Sequence, residues 1–269
     1  MTRYPIDRLF PLTILLLWTI LALFGNWMDM APDQIHLEKI LVPPNAQAWF
    51  GFDDLGRSLF DRLITGARTS FLVSLWVVSL SAIIGTLIGM LAGWKGGWLD
   101  LLIVRIIDIF LAFPGILLAI ALAGMLGPGL NNIVIALTVV GWVGFARLAR
   151  AQTLSIKNRE HIQAARALGT STQRILIRHI LPLIVAPLIV EATFGIASMV
   201  IAEAGLSFLG LGIQPPTASW GTMIRDGTRY MLVAPHMVIV PGLTLCLVVL
   251  SVNMLGDKLR DWMDIRIKS

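Results

Sequence analysis

IFLAFPGILLAIALAGMLGPGLNNIVIALTVVGWVGFA, residues 109–146, carries no charged side chain. It is too long for one membrane crossing, which needs about 20 apolar residues to span a hydrocarbon core about 30 Å thick. Gly127-Pro128-Gly129 and Asn131-Asn132 interrupt it with turn chemistry, so the stretch reads as two spans joined by a tight hairpin. Upstream, 9–27 is apolar behind Arg3 and Arg8. No small-x-small cleavage site follows, so it reads as an anchor rather than a signal peptide. Three further apolar stretches lie at 69–94, 183–203 and 235–256. The expected architecture is an all-α membrane protein, a single transmembrane domain over 1–269. Its six spans are 9–27, 69–94, 101–126, 130–149, 183–203 and 235–256, with an outer segment at 28–68 and an inner loop at 150–182.

Composition agrees. Of 269 residues, 57% are hydrophobic and only 14% charged, with a mean hydropathy of +0.81, whereas a soluble domain is about a quarter charged. That excludes an ordinary cytosolic enzyme, a disordered chain and a secreted disulfide scaffold. A lone Cys246 allows no internal disulfide and there is no Cys/His zinc spacing. His36, His161, His179 and His236 are scattered, so no metal site is expected. Of the 21 basic residues, only Lys39, Arg57, Arg62, Arg68, Arg225 and Arg229 fall on the outer side when the N-terminus is placed inside. The Lys/Arg bias therefore puts both termini in the cytoplasm. The net charge of +5 belongs to that topology and not to nucleic-acid binding.

Two loops are more than connectors. The outer segment opens acidic (Asp29, Asp33, Glu38), passes Pro43-Pro44 and reaches a stretch from Trp49 to Arg62, where Arg57 can pair with Asp53 or Asp61. A plain surface cap is one reading; a docking or gating element is the other, since loops of this length are usually functional. In the inner loop, Glu160 to Leu168 favours helix, with Ile162, Ala165 and Leu168 on roughly one face. Gly169 supplies a left-handed cap, Thr170 or Ser171 can start a second helix, and Pro182 suits the first turn of the next span. Such a segment can lie on lipid headgroups. Its apolar face is narrow and partly alanine, which favours insertion into a groove on a protein.

These residues resemble the membrane subunits of binding-protein-dependent ABC importers. Their cytoplasmic loop reads E-A-A-x3-G-x9-I-x-L-P, and Ala164, Ala165, Gly169, Leu181 and Pro182 match it at the right spacing. Gln163 replaces the usual Glu and His179 the isoleucine. Further likenesses point to the peptide/nickel (dipeptide/oligopeptide) branch, second-permease type. Gly51, Asp53, Gly56, Arg57 and Arg62 resemble its G-T-D-x-x-G-R-D-x-x-S-R stretch, with Phe52, Ser58 and Asp61 departing from it. Asp108 to Pro114 resembles D-x-x-x-A-F-P, and Glu203 to Gly212 resembles E-A-x-L-S-F-L-G-L-G.

The resemblance implies a type I importer fold and a multi-pass permease of the bacterial inner membrane. Its cytoplasmic coupling helix would contact an ATPase subunit through Gln163, Ala164, Ala165, Leu168, Gly169, Leu181 and Pro182. It would work with a second homologous permease, two ATPase subunits and an extracytoplasmic solute-binding protein, within membrane lipid. The cargo would be di/oligopeptides or a related load such as nickel complexes. No cofactor is expected on this chain; ATP and Mg belong to the partner ATPase subunits, and the sequence contains no G-x-x-x-x-G-K-[ST] loop.

Asp108, Glu191 and Glu203 lie in or beside spans, where a charge near the bilayer centre costs about 2.5–3.5 kcal/mol, so each should face protein, water or a partner. Arg105 and Asp108 are spaced to pair. An alternative function uses the three acids as a relay in a proton-coupled secondary transporter; six spans without a visible repeat argue against it. No Ser/His/Asp or metal constellation supports a membrane enzyme. Gly85, Gly89 and Gly93 form a small-residue face for close helix packing, internal or against the second permease. Pro114, Pro187 and Pro241 mark bends, and tryptophans other than Trp18 suit the membrane interface.

Overall fold

The computed structural model describes residues 6–28 and 30–267; Arg3 and Asp29, named above, lie outside them. The helices are α1 Ile6–Phe24, α2 Leu59–Lys95, α3 Gly97–Leu111, α4 Gly115–Leu126, α5 Leu130–Ile156, α6 Glu160–Ala167, α7 Thr172–Ile175, α8 Leu181–Phe208, α9 Trp220–Thr228 and α10 His236–Ile267. A π turn over Leu176–Ile180 joins α7 to α8, and the only β pairing among the described residues is a single bridge between Phe52 and Ser58.

By length and apolarity, four segments can each cross a membrane: α2, α5, the run Thr172–Phe208, and α10 over His236–Met263. The α3–α4 pair qualifies only together, with a bend of 86° between them, and Leu9–Phe24 is a shorter apolar helix. The expected span at 101–126 is thus two helices. Proline offers no N–H and disfavours the helical region for the residue before it. The chain accordingly turns at Phe113, and Pro114 becomes the N-cap of α4. Helix α2 also starts earlier than expected, at Leu59 rather than near residue 69. Ser58 caps it, its Oγ accepting from the Asp61 N–H at 3.3 Å, with Asp61 in the first turn. The outer segment is correspondingly shorter.

The hairpin between α4 and α5 falls where expected. Gly127 and Gly129 take φ of +83° and +140°, and Asn132 Nδ2 donates to the carbonyls of Leu126 and Gly127 at 2.9 and 3.1 Å.

Helices α2 and α5 run parallel in close contact. A Cβ on Gly85 would fall 2.3 Å from the Trp142 carbonyl oxygen, one on Gly89 2.2 Å from that of Ala146, and one on Gly93 2.9 Å from that of Arg150. The glycine face therefore packs against a helix of its own chain. Lipid tails are as apolar as leucine, so this close backbone approach, rather than hydrophobic burial, holds such a pair together.

Loops gather at two opposite ends. At one end Trp18 Nε1 donates to Ala67 O at 3.0 Å, Trp220 Nε1 to Leu63 O at 3.1 Å, and the Gly129 N–H to Gly212 O at 3.0 Å. Trp220 is fully buried in the core there, with Trp18, Met223 and Met237, and is not the interfacial anchor expected of it. At the other end Ile162, Ile175, Leu176 and Ile180 pack with Met90, Ala149 and Ile156.

Candidate functional site

The loop between α5 and α8 folds as a short helix, a glycine turn and a second short helix. Gly169 takes φ +77° and lies just past the end of α6, as expected of a left-handed cap. Ser171, rather than Thr170, occupies the cap position of α7, with no side-chain capping bond. Pro182 sits in the first turn of α8. The expected face is divided differently. Ile162 is fully buried and Ala165 is 9% exposed, so both hold α6 onto the bundle. Leu168 falls after the last helical residue and is 86% exposed. The outward surface is therefore Ala164, Ala167, Leu168 and Gly169, all exposed. Gln163 is exposed and donates through Nε2 to the Lys157 carbonyl at 3.2 Å. Leu181 is half-buried against the core and Pro182 is exposed.

Below this loop, Arg150 grips Asp100 with both arms, Nη2 to Oδ2 at 2.7 Å and Nε to Oδ1. Lys157 Nζ donates to the Gly93 carbonyl at 2.9 Å. These bonds tie the loop's root to the α2–α3 turn. Nothing in the sequence near Asp100 marked it, because its partner lies 50 positions away.

At the opposite end, Asp53, Arg57 and Arg62 form a buried ion network. Asp53 Oδ1 accepts the N–H groups of Leu55 and Arg57, each at 2.9 Å, while Oδ2 lies 2.7 Å from Arg57 Nε and 3.5 Å from Arg62 Nε. Arg62 Nη1 reaches Asp33 at 3.2 Å and the Pro216 carbonyl at 3.4 Å. Of the two partners expected for Arg57, Asp53 is the one used; Asp61 instead accepts from the Ala31 N–H at 3.3 Å. Gly51 and Gly56 have φ of +75° and +71°, and a Cβ on Gly56 would lie 1.9 Å from the His36 carbonyl oxygen. Side chains are thus excluded where the segment folds back on itself. His236 Nε2 lies 3.2 Å from the Phe52 carbonyl oxygen, a link with no signal in the sequence. Burial, reinforced by the neighbouring Asp53 charge, pushes the Asp54 carboxyl above its ordinary range.

The three acids in or near spans have three different environments. Glu203 is fully buried, accepting from Ser70 Oγ at 2.7 Å and Ser207 Oγ at 2.8 Å. It bridges α2 and α8, facing protein. Asp108 lies 3.9 Å from Arg105 Nη1, with both side chains more than half exposed. Glu191 lines a cavity of about 710 Å³ between α5, α8 and α10, with Gln152, Arg159, Pro187, Phe194 and Arg260. Gly144 makes room for its carboxylate, since a Cβ there would be 2.8 Å from Oε1. The cavity draws its polar residues from segments more than 100 positions apart, so no local motif announces it. Among the described residues no group of three His, Cys, Asp or Glu side chains is placed to hold a metal ion.

A bundle of long apolar helices with a small-residue helix and glycine turn projecting from one end defines a membrane transport subunit. The comparisons identify the class: residues 85–269 match the family described as "Binding-protein-dependent transport system inner membrane component", and this chain belongs to that family. It is the permease of an ABC importer and a multi-pass inner-membrane protein. It is 44% identical over 255 residues, 94% of this chain and 84% of the relative, to the glutathione transport system permease protein GsiD of Escherichia coli O6:K15:H31. The same figures hold for the protein of that name in Shigella sonnei. In fold it resembles a chain of the MetNI methionine ABC transporter in inward-facing structures. One superposes with a TM-score of 0.62 at 20% identity, covering 76% of this chain and 97% of the other.

Proposed function

We propose that this permease forms, with a second related permease, the path for short peptides, and that its cargo class includes the glutathione-sized tripeptide as well as di- and oligopeptides. The observation carrying this reading is the 44% identity to glutathione permeases across 94% of the chain. Nickel complexes are the less favoured cargo. In this reading ATP and Mg are bound by two separate ATPase subunits. One of them would close on the exposed Ala164–Leu168–Gly169 surface, and a solute-binding protein would deliver peptide at the end carrying Asp53, Arg57 and Arg62. The cavity around Glu191 is this chain's share of the path, with a carboxylate for a peptide ammonium and Arg159 and Arg260 for a carboxylate. Water-filled cavities are where intramembrane charges are tolerated.

The test is uptake of labelled glutathione, a dipeptide and nickel by cells whose only route is this transporter, with Gly169→Asp and Glu191→Gln variants alongside. Peptide uptake lost in Gly169→Asp, with a tagged chain still recovered with a second permease, supports the reading. Nickel uptake alone, or uptake indifferent to Gly169→Asp and to ATP depletion, sinks it. Co-purification of an ATPase with the wild-type chain, weakened by Leu168→Glu, would separately establish the docking surface.

A further inference from the structure

At the end of the bundle that carries α6, a cleft of about 620 Å³ opens between α2 and the loop. Lys95, Lys157 and Arg166 line it, with the hydroxyl residues Thr170, Ser171 and Thr172 and no carboxylate. Lys157 Nζ donates to the Gly93 carbonyl at 2.9 Å, and the nearby carboxylate of Asp100 is already gripped by Arg150 outside the cleft. A concave surface with three cations, several hydroxyls and no acid has the chemistry of a phosphate site.

The apolar surroundings show which phosphate. Lys95 ends the membrane-crossing helix α2, and Ile83, Leu87 and Leu91 precede it at four-residue steps. Residues four apart share a helix face, and these three are 59%, 51% and 40% exposed. An apolar track thus runs down α2 and ends on a lysine in the cleft, beside Trp94, an interface-seeking side chain. A soluble phosphate has no use for that track, whereas an acyl chain does.

The position of the cleft on α6 also matters. Gln163 and Arg166, one turn apart, border it, while none of the exposed Ala164, Ala167, Leu168 and Gly169 lines it. An occupant here would leave the outward surface free.

We infer that the cleft bounded by Lys95, Lys157 and Arg166 is a binding site for the phosphate of an anionic phospholipid, whose acyl chain lies along Ile83, Leu87 and Leu91. Basic pockets between membrane helices hold such headgroups. The site is independent of the cargo and of the peptide reading.

The transporter complex would be purified in mild detergent, exchanged into nanodiscs of phosphatidylcholine with a minority of phosphatidylglycerol, and re-extracted. Retained phosphatidylglycerol would then be counted by native mass spectrometry. The expected result is selective retention of the anionic lipid, weakened about five-fold in each of Lys95→Ala and Arg166→Ala, the effect of about one basic group at an anionic surface. It should be restored in Lys95→Arg and unaffected by Arg178→Ala, an exposed cation outside the cleft. Leu87→Ser should weaken retention as well. Equal retention in wild type and both alanine variants would overturn the proposal. So would release of the lipid by an inorganic phosphate wash, or retention indifferent to Leu87→Ser, either of which would assign the cleft to soluble phosphate. Melting temperatures close to wild type in Lys95→Ala, Arg166→Ala and Leu87→Ser establish that the losses are not unfolding.

Discussion

Ser70 Oγ donates a hydrogen bond to Glu203 Oε2 at 2.7 Å, joining α2 to α8 across a fully buried interface. Ser207 holds the other carboxylate oxygen. A buried acid with both oxygens occupied is a structural fastener, and removing one donor leaves part of it unsatisfied. Ser70→Ala should lower stability by about 1–2 kcal/mol, read as a drop in melting temperature of the detergent-solubilised protein. Ser70→Thr should lose less. No change in Ser70→Ala would mean that the bond contributes nothing.

The α2–α5 contact makes a second prediction. At Gly89 an added Cβ meets the Ala146 carbonyl, whereas at Gly124 it meets nothing within 4 Å. Gly89→Ala should destabilise by about 1–3 kcal/mol because the helices must separate. Gly124→Ala should be neutral or stabilise by about 0.4–1 kcal/mol through chain entropy. Equal thermal shifts in the two variants would contradict the packing described.

Asp53 is the shared partner of Arg57 and Arg62. Asp53→Ala leaves two buried guanidinium groups facing each other, and breaking a buried ionic group of this kind costs about 3–5 kcal/mol. Limited proteolysis should show faster cutting within the outer segment, ahead of any cut in the spans. An unchanged cleavage pattern would contradict the network's role.

Asp54 sits beside that network with one carboxylate oxygen buried and lacking a hydrogen bond, and its pKa is raised by burial first and by Asp53 second. For an acid whose folded pKa is raised, the stability contribution is fully present below the unfolded value near 3.8. It is lost as pH rises through the folded pKa. Asp54→Asn should therefore slow hydrogen exchange in the outer segment at neutral pH. That advantage should disappear below about pH 3.8. A benefit that persisted at low pH would point to a cause other than the charge.

Much of the site was legible beforehand. Gly169 in the left-handed region, the hairpin at Gly127 to Gly129 and the pairing of Arg57 with one of the two nearby acids, Asp53 or Asp61, are local matters of backbone freedom and short spacing. The 86° break before Pro114 was also written locally, since proline disrupts a helix and Pro114 was expected to mark a bend. The inward turn of Ala165 was not legible. Helical spacing groups Ile162, Ala165 and Leu168, but only the position of the core decides that the first two pack inward while the third, beyond the helix end, is left exposed.

The sequence by itself determined that this is a membrane protein, where its apolar stretches lie, and which loop carries a short helix ended by a left-handed glycine. Bilayer thickness and turn chemistry act on neighbouring residues, so those features are written in order along the chain. Tertiary structure alone decided that Glu203 is held by Ser70, that the glycines of α2 meet α5, and that Glu191, Gln152, Arg159 and Arg260 enclose one cavity. These arrangements depend on how distant helices settle against one another. In a bundle where apolar faces meet either lipid or protein at similar cost, hydropathy does not encode that choice.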